Sequence, residues 1–259
     1  MKLKNLAKVF SVAAVLALAM ALMVGCSSGS SKSDSDYKLV NDGKLTVATS
    51  LDFPPFESLD GDTPTGYSVA VIQEVAKRLD LECEIKNTKF DTIVPAVASG
   101  GQFDVGISSI TIDPERSKQV DFSDPYYIAD QSIVVVKGAY TSVDQLKAKT
   151  IAAQTGTTGF DYAQENVSDN VVGFDEATAC FAALQSKNAE AIAIDLPVAE
   201  AMISSAYPDY EILEKIATGE EYGIAINKDN TALKDAINKV LGEMDKDGTL
   251  KSLQDKYLG

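Results

Sequence analysis

Residues 103–116 read FDVGISSITIDPER and join the pattern of a buried strand to the start of a helix. Phe103, Val105 and Ile107 give residues 103–107 the pattern of a buried strand. Asp113 can cap the helix, Pro114 suits its first position, and Glu115 suits the positive end of the helix dipole. This stretch therefore predicts one complete strand–loop–helix unit.

Strand and helix patterns alternate on both sides of this unit, in two sets of similar build. Short apolar runs mark the strands, and apolar residues at helical spacing mark the helices. We predict strands at 44–50, 82–87, 103–107, 131–137, 150–153, 171–174, 191–194 and 222–227, and helices at 67–79, 91–99, 157–166, 175–186, 196–206, 231–241 and 250–257. Ser68 and Asp175 are predicted to cap two of these helices. The βαβ order predicts mostly parallel sheets that are covered on both faces.

The composition is that of a soluble globular protein. Of the 259 residues, 45% are hydrophobic and 24% are charged, and the formal net charge is −15. Nucleic acid is therefore not expected as a partner, since it would be repelled. The chain has no histidine, which excludes a Ser-His-Asp triad and the commonest zinc ligand. We predict no catalytic residue, metal or cofactor, and we expect Cys83 and Cys180 to be unpaired thiols.

The first residues have the pattern of a secretory signal peptide. Three lysines and an apolar run at 9–24 predict that residues 1–25 are such a peptide. The stretch LMVGC at 22–26 resembles a bacterial lipobox, in which Cys26 is acylated. Residues 26–37 are then expected to form the lipid anchor and a flexible tether. The alternative is an uncleaved transmembrane helix, for which the apolar run is short.

Four segments in register carry a resemblance to a known family. They are DFPPFE at 52–57, SSITIDPER at 108–116 with VDFSDPYY at 120–127, QTGTT at 154–158, and DLP at 195–197. Across 38–259 the chain resembles the polar amino acid family of ABC-transporter substrate-binding proteins, also called extracellular solute-binding protein family 3. The resemblance implies an α/β fold of the two-lobed, type II periplasmic-binding-protein class, with two three-layer domains joined by two hinge crossings.

The resemblance also implies how the chain is divided into lobes and which partners it binds. Lobe one is expected at 38–125 plus 223–259, lobe two at 131–217, and the hinges near 126–130 and 218–222. The implied partners are a free amino acid and the permease of an ABC transporter. The protein is expected to be a monomer on the extracytoplasmic face of the bacterial cell membrane, or in the periplasm, anchored through Cys26.

Three residues suit the chemistry of a free amino acid, which presents a carboxylate and an ammonium group. Desolvating both charges requires fixed partners on the protein. Arg116 offers a planar fork that matches a carboxylate. Thr157 stands at a predicted helix start, where free N–H groups favour an anion. Asp195, at the end of a predicted strand, can meet the ammonium group.

The family resemblance assigns roles to the same residues and extends the set. It implies that Arg116, Thr111 and Thr157 hold the α-carboxylate, and that Asp195, the Ser109 carbonyl and the Thr111 hydroxyl hold the α-ammonium group. The ligand side chain is expected to pack against aromatic rings. The complete predicted ligand-binding set is Phe53, Phe90, Ser108, Ser109, Thr111, Arg116, Gln154, Thr157 and Asp195.

Each of these residues has an ordinary structural alternative. Arg116 could be a solvated helix residue paired with Asp113 or Glu115. Asp195 could cap the helix that follows it, and the aromatic residues Phe53 and Phe90 could belong to the core. The side chain of the ligand also stays open. Binders of basic amino acids in this family tend to carry an acid where Ser50 stands, whereas Ser108 and Ser109 look like their version of that loop.

Two other functions remain open at this point. The fold is similar to that of periplasmic cyclohexadienyl dehydratases, enzymes whose site needs a carboxyl acid or base, a role for which Glu57 or Asp195 is a candidate. The chain could also be a sensory lipoprotein that uses the same pocket as a receptor.

Overall fold

The chain is built on two five-stranded sheets that lie side by side in one compact unit of residues 36–259. The computed structural model describes residues 37–259. The predicted signal peptide, the Cys26 anchor and all but the last residue of the predicted tether lie outside the described residues. That last residue, Tyr37, packs against the hydrophobic core, so the folded part begins one residue earlier than expected.

The elements follow one another in an alternating order. The strands are β1 (Lys44–Thr49), β2 (Ser58–Asp60), β3 (Thr63–Thr65), β4 (Glu82–Asn87), β5 (Val105–Gly106), β6 (Asp121–Phe122), β7 (Tyr127–Val136), β8 (Ile151–Gln154), β9 (Val171–Phe174), β10 (Ala191–Asp195), β11 (Tyr210–Tyr222) and β12 (Ala225–Ile226). The helices are α1 (Tyr67–Arg78), α2 (Phe90–Ser99), α3 (Pro114–Gln119), α4 (Thr158–Asn166), α5 (Ala177–Gln185), α6 (Leu196–Ser205), α7 (Thr231–Lys246) and α8 (Thr249–Tyr257), with a 3-10 helix at Val143–Leu146.

Lobe one is the sheet β4-β1-β5-β12-β6, with α1, α2 and α3 packed on its strands and with α7 and α8 packed on α1. Strand β1 is parallel to β4 and β5, and β12 is antiparallel to both β5 and β6. Side chains alternate across β1, so Leu45 and Val47 enter one hydrophobic cluster while Ala48 enters another. Both faces of the sheet are therefore covered, as the apolar sequence of β1 predicts.

Lobe two is the sheet β11-β7-β10-β8-β9 with α4, α5 and α6 packed on it. Strand β8 is parallel to β9 and β10, whereas β7 is antiparallel to β10 and β11. Mostly parallel sheets were expected, and the antiparallel pairs arise where the chain crosses between lobes. The patterns did not predict β11, an edge strand whose pairing shifts register between Ile212 and Glu214 and again between Ile216 and Glu220.

The two crossings between the sheets run next to each other. The chain leaves lobe one at 123–126 and returns to it at 223–224. The beginning of β7 pairs with the end of β11, with Tyr127 opposite Tyr222. An aromatic cluster of Phe56, Tyr67, Tyr126, Tyr127 and Tyr222 surrounds this ribbon, with ring centroids from 5.0 Å to 6.3 Å apart. The residues predicted as hinges are thus β-paired over part of their length.

Two of the predicted helix caps are wrong. Helix α1 begins after Gly66, which has φ 120. A Cβ atom at this position would lie 2.2 Å from the Phe56 carbonyl oxygen. Ser68 does not cap this helix, because it is buried inside the first turn and its hydroxyl bonds the Tyr126 hydroxyl at 3.1 Å. Asp175 does not cap α5 either, since that helix begins at Ala177.

Other local predictions are confirmed. Asp113 caps α3, with its carboxylate 2.7 Å from the Glu115 N–H and 2.9 Å from the Arg116 N–H. Cys83 and Cys180 are free thiols, one in each lobe. Among the described residues, none of the helices is both long and apolar enough to cross a membrane.

Candidate functional site

A small cavity lies between the two lobes, at the carboxyl ends of β1, β5, β8 and β10. Lobe one lines it with Ser50, Asp52, Phe53, Phe90, Ser108, Ser109, Thr111 and Arg116, and lobe two with Gln154, Thr157, Thr158 and Asp195. All nine residues predicted from the sequence to bind ligand lie on this wall. The structure thus brings together residues that are up to 142 positions apart in the chain, since Phe53 and Asp195 share one cavity.

Arg116 presents a fixed guanidinium group to the cavity. Its Nη1 donates to the Thr111 carbonyl at 2.7 Å, and its Nη2 donates to the Gly156 carbonyl of lobe two at 3.0 Å. The side chain is only 12% exposed, which differs from the solvated alternative. Burial lowers the pKa of this guanidinium, while Asp113 and Glu220 act in the opposite direction. The group remains a cation, because the ordinary pKa of arginine lies far above neutral pH.

Asp113 sets the orientation of this arginine. One oxygen of its carboxylate accepts the backbone N–H groups that cap α3, and the other accepts the Arg116 Nε at 3.0 Å. The ring of Phe90 lies on the other side, with its centroid 5.6 Å from the guanidinium carbon, a distance suited to a cation–π contact. The helix cap predicted from the sequence therefore also positions the charged group.

Asp195 places a buried carboxylate at the opposite wall. It is the residue before α6, yet its side chain makes no capping bond to that helix. Its oxygens accept hydrogen bonds from the Tyr222 hydroxyl and from the Gln131 Nε2, the latter at 2.6 Å. Gln131 stands directly opposite Asp195 in the β7–β10 register. The carboxylate is thus fixed in place by neutral donors, and no cation of the described chain bonds it.

The environment of Asp195 favours an incoming cation. Burial raises the pKa of its carboxyl to about 7, and the nearby Glu220 carboxylate adds to the rise. The hydrogen bonds from Tyr222 and Gln131 and the charge of Arg116 act against it. An ammonium group at this wall would offset the cost of burying the ionised form.

Thr157 is the residue before α4, and its side chain caps that helix. Its hydroxyl accepts from the Phe160 N–H at 3.1 Å and donates to the Gln154 carbonyl at 2.8 Å. The hydroxyl is therefore engaged by the chain itself. What α4 offers to an anion is the positive end of its dipole, which lies at the cavity wall.

Glu220 is a site residue that the sequence patterns did not reveal. Its Oε2 accepts hydrogen bonds from Thr111 of lobe one and Thr158 of lobe two, each at 2.6 Å. The single hydroxyl hydrogen of Thr111 is thereby used, and only its lone pairs remain available. In this arrangement Thr111 can accept from an ammonium group, but its hydroxyl cannot donate to a carboxylate.

Glu57 is completely buried, with the hydroxyls of Ser68 and Ser109 as its polar neighbours. Neither of its carboxyl oxygens, nor the hydroxyl of Ser109, makes a hydrogen bond within the described part of the chain. Ser109 itself has φ 51, in the left-handed region that side chains seldom adopt. Burial raises the pKa of Glu57 to about 8, and the charges of Asp52 and Asp195 contribute to the rise. Glu57 is therefore largely protonated at neutral pH.

This buried acid predicts how stability depends on pH. Between the ordinary carboxyl pKa of 4.5 and the folded value of about 8, the folded chain holds a proton that the unfolded chain has lost. The free energy of unfolding should therefore fall as pH rises through this window. Glu57→Gln should flatten that fall by up to about 1.4 kcal/mol per pH unit. Urea unfolding of the ligand-free protein at a series of pH values measures the slope.

The exposed Glu243→Gln is the matched control and should leave the slope unchanged. A Glu57→Gln variant with the same slope as the unmodified chain would show that Glu57 is already ionised at neutral pH in the folded state.

Within residues 37–259, no three or more acidic, cysteine or histidine side chains form a group that could hold a metal ion. The polar side chains of the cavity are one guanidinium, two carboxylates, one amide and six hydroxyls. Such a set can hold a small molecule that carries both charges.

Known proteins resemble the chain over most of its length. The family model for bacterial extracellular solute-binding proteins, family 3, matches residues 45–259. The L-cystine-binding protein TcyJ of Escherichia coli (strain K12) is 32% identical, over 93% of each chain. The arginine-binding extracellular protein ArtP of Bacillus subtilis (strain 168) is 34% identical, over 91% of this chain and 92% of its own. A solved structure of an ancestral arginine-binding protein bound to arginine matches with a TM-score of 0.79 and 38% identity, over 84% of this chain and 99% of its own.

Proposed function

Because this chain belongs to the bacterial extracellular solute-binding proteins, family 3, we propose that it binds a free amino acid between its lobes and delivers it to the permease of an ABC transporter. The related proteins are named for the amino acids they bind, and the match covers nearly the whole folded part. A polar amino acid is the expected ligand.

One observation carries this proposal: a guanidinium of lobe one and a carboxylate of lobe two face the same cavity. Arg116 has five N–H donors, and the protein uses its Nε, Nη1 and Nη2 once each. Each Nη therefore keeps one further N–H for a carboxylate. Asp195 lacks a bonded cation, and an α-ammonium group supplies one. A bound zwitterion thus provides an oppositely charged partner for both Arg116 and Asp195.

The remaining wall is suited to the ligand's side chain. Phe53 and Phe90 offer apolar faces, and Ser108, Ser109 and Gln154 offer polar atoms. Asp52 adds a second carboxylate to the lining, so an acidic side chain would meet repulsion. This disfavours acidic amino acids as ligands.

Closure of the lobes is the proposed mechanism. Lobe one would comprise 38–125 plus 223–259 and lobe two 131–217, with the ribbon at 126–130 and 218–222 as the bending region. A ligand that contacts both lobes stabilises the closed form, because only that form makes both sets of contacts. The permease would recognise the closed form.

We also propose that the protein is a monomer held at the extracytoplasmic face of the bacterial membrane through an acylated Cys26, with residues 1–25 removed. Mass spectrometry of the membrane-extracted protein should find the acyl groups on Cys26 as the first residue. Release of a Cys26→Ala variant into the medium would agree with this, and its retention would contradict it.

The chain is proposed to catalyse no reaction. The dehydratase alternative would require a carboxyl acid to act on a bound prephenate-like acid. Incubation with prephenate, followed by absorbance, should show no conversion above the uncatalysed rate.

A thermal-shift screen of residues 27–259 against the common amino acids tests the proposed function. At a ligand concentration of 100 times Kd, binding adds about 2.7 kcal/mol of stability. For a domain of this size that corresponds to roughly 5–10 °C in Tm. Absence of any shift across the whole panel would contradict amino acid binding.

A further inference from the structure

Helix α5 of lobe two begins without a cap from its own lobe. The residue before it, Glu176, makes no side-chain hydrogen bond to the helix. The first N–H of the helix, from Ala177, instead meets the carboxylate Oδ2 of Asp52 at 2.6 Å. Asp52 belongs to lobe one and follows β1 at the mouth of the cavity. A residue 125 positions away therefore acts as the N-cap of α5.

Asp52 is held in this position from both lobes. Its Oδ1 accepts the hydroxyl of Ser50 at 2.6 Å, within lobe one. Its Oδ2 also lies 3.2 Å from the Gln154 Nε2, and that nitrogen lies 3.1 Å from the Asp175 carbonyl just before α5. One carboxylate thus ties β1 to two segments of lobe two. A second contact at the same mouth is the ion pair between Lys89 and Asp175.

We propose that Asp52 is a closure latch, a positioning residue whose carboxylate caps α5 across the cleft when the lobes close and releases it when they open. This rests on the proposed function, in which the ligand is bound by closure. A cap from the same lobe would contribute equally to the open and closed forms and could not favour either one. A cap from the opposite lobe adds its stabilisation to the closed form alone, and so it adds to the affinity for every ligand.

An acid on the cavity wall could also have a second role, in which its charge binds a cationic side chain of the ligand. That role needs the negative charge, whereas a cap needs only an acceptor oxygen. Asparagine caps helices about as well as aspartate does. Asp52→Asn therefore keeps the latch and removes the charge, while Asp52→Ala removes both.

Calorimetric titration of these two variants with a neutral and a cationic amino acid, both chosen as ligands of the unmodified chain, separates the roles. Asp52→Ala should lower the affinity for both ligands by the same factor, about 2- to 30-fold, which is the range expected for the loss of an N-cap. Asp52→Asn should remain within about 2-fold of the unmodified chain for both. Asp62→Ala, at an exposed position of the β2–β3 turn, is the control and should change neither affinity.

Hydrogen exchange provides a readout of the cap itself. In the ligand-saturated 27–259 chain, Asp52→Ala should speed exchange at the first turn of α5 and leave the first turn of α4, which has its own Thr157 cap, unchanged. In the ligand-free, open chain the same substitution should have little effect on exchange at α5.

If both variants lost affinity for the cationic ligand only, the latch proposal would be wrong and Asp52 would instead bind the charge of the ligand side chain. Unchanged affinities and unchanged exchange in Asp52→Ala would overturn it as well. If the unmodified chain bound no amino acid, the proposed function itself would fail, whereas tight binding by the unmodified chain with the same affinity and exchange in Asp52→Ala would overturn the latch alone.

Discussion

An Asp195→Asn variant should bind free amino acids about 30- to 4,000-fold more weakly than the unmodified chain, the range expected when one partner of a buried charge pair is neutralised. The carboxylate is buried, and hydrogen bonds from Gln131 and Tyr222 fix its position. Asparagine keeps the shape but cannot offset the charge of an ammonium group. The loss should appear as a change in Kd by calorimetry.

The same variant should remain folded. Burial raises the pKa of Asp195 to about 7, so the ionised carboxyl is costly to the ligand-free chain above that pH. A neutral amide removes this cost, and the free energy of unfolding at pH 8 should be equal or higher. Asp121→Asn, which breaks a partly exposed ion pair with Lys234, is the matched control and should leave ligand affinity unchanged. An Asp195→Asn variant with unmodified affinity would refute the ammonium assignment.

Arg116→Lys should weaken binding by about 10- to 150-fold, the range for losing a hydrogen bond to a charged group. Lysine keeps the charge but not the planar fork, and it cannot reach Asp113, the Thr111 carbonyl and a ligand carboxylate together. Calorimetry with the free amino acid measures the loss. Arg78→Lys, at a surface ion pair with Glu74, is the control and should have little effect.

The ligand itself can show that the carboxylate is the partner of Arg116. An amino acid amide lacks that carboxylate, so it should bind the unmodified chain and Arg116→Lys with equal, low affinity. Such a double cycle isolates the contact between the two groups. If Arg116→Lys weakened the amide as much as the free amino acid, Arg116 would act on some other part of the ligand.

Much of the fold could be predicted from the sequence because periodicity is a local property. The alternating strands and helices follow from patterns within each segment. Parallel strands bring their carboxyl ends to one edge, and for this reason Gln154 and Asp195, at the ends of β8 and β10, lie on one cavity although they are distant in the chain. The cap at Asp113 was predictable because it depends on its immediate neighbours alone.

The parts that could not be predicted depend on contacts between segments. Strand β11 is an edge strand with register shifts, and its alternation is interrupted at Glu214 and Glu220. The partner of Asp195, Gln131, follows only from the register of β7 against β10. Asp52 looks like an ordinary loop acid until the other lobe is present. Capping rules applied to Asp175 failed for the same reason, since the acceptor for α5 comes from across the cleft.

Titration of the unmodified chain with its tightest amino acid, with the N-acetyl form and with the methyl ester tests the central claim most directly. We predict that removing either charge weakens binding by at least about 10-fold, since each modification leaves a buried charge of the protein without its partner. If either blocked form bound as tightly as the free amino acid, simultaneous recognition of both charges by Arg116 and Asp195 would be contradicted.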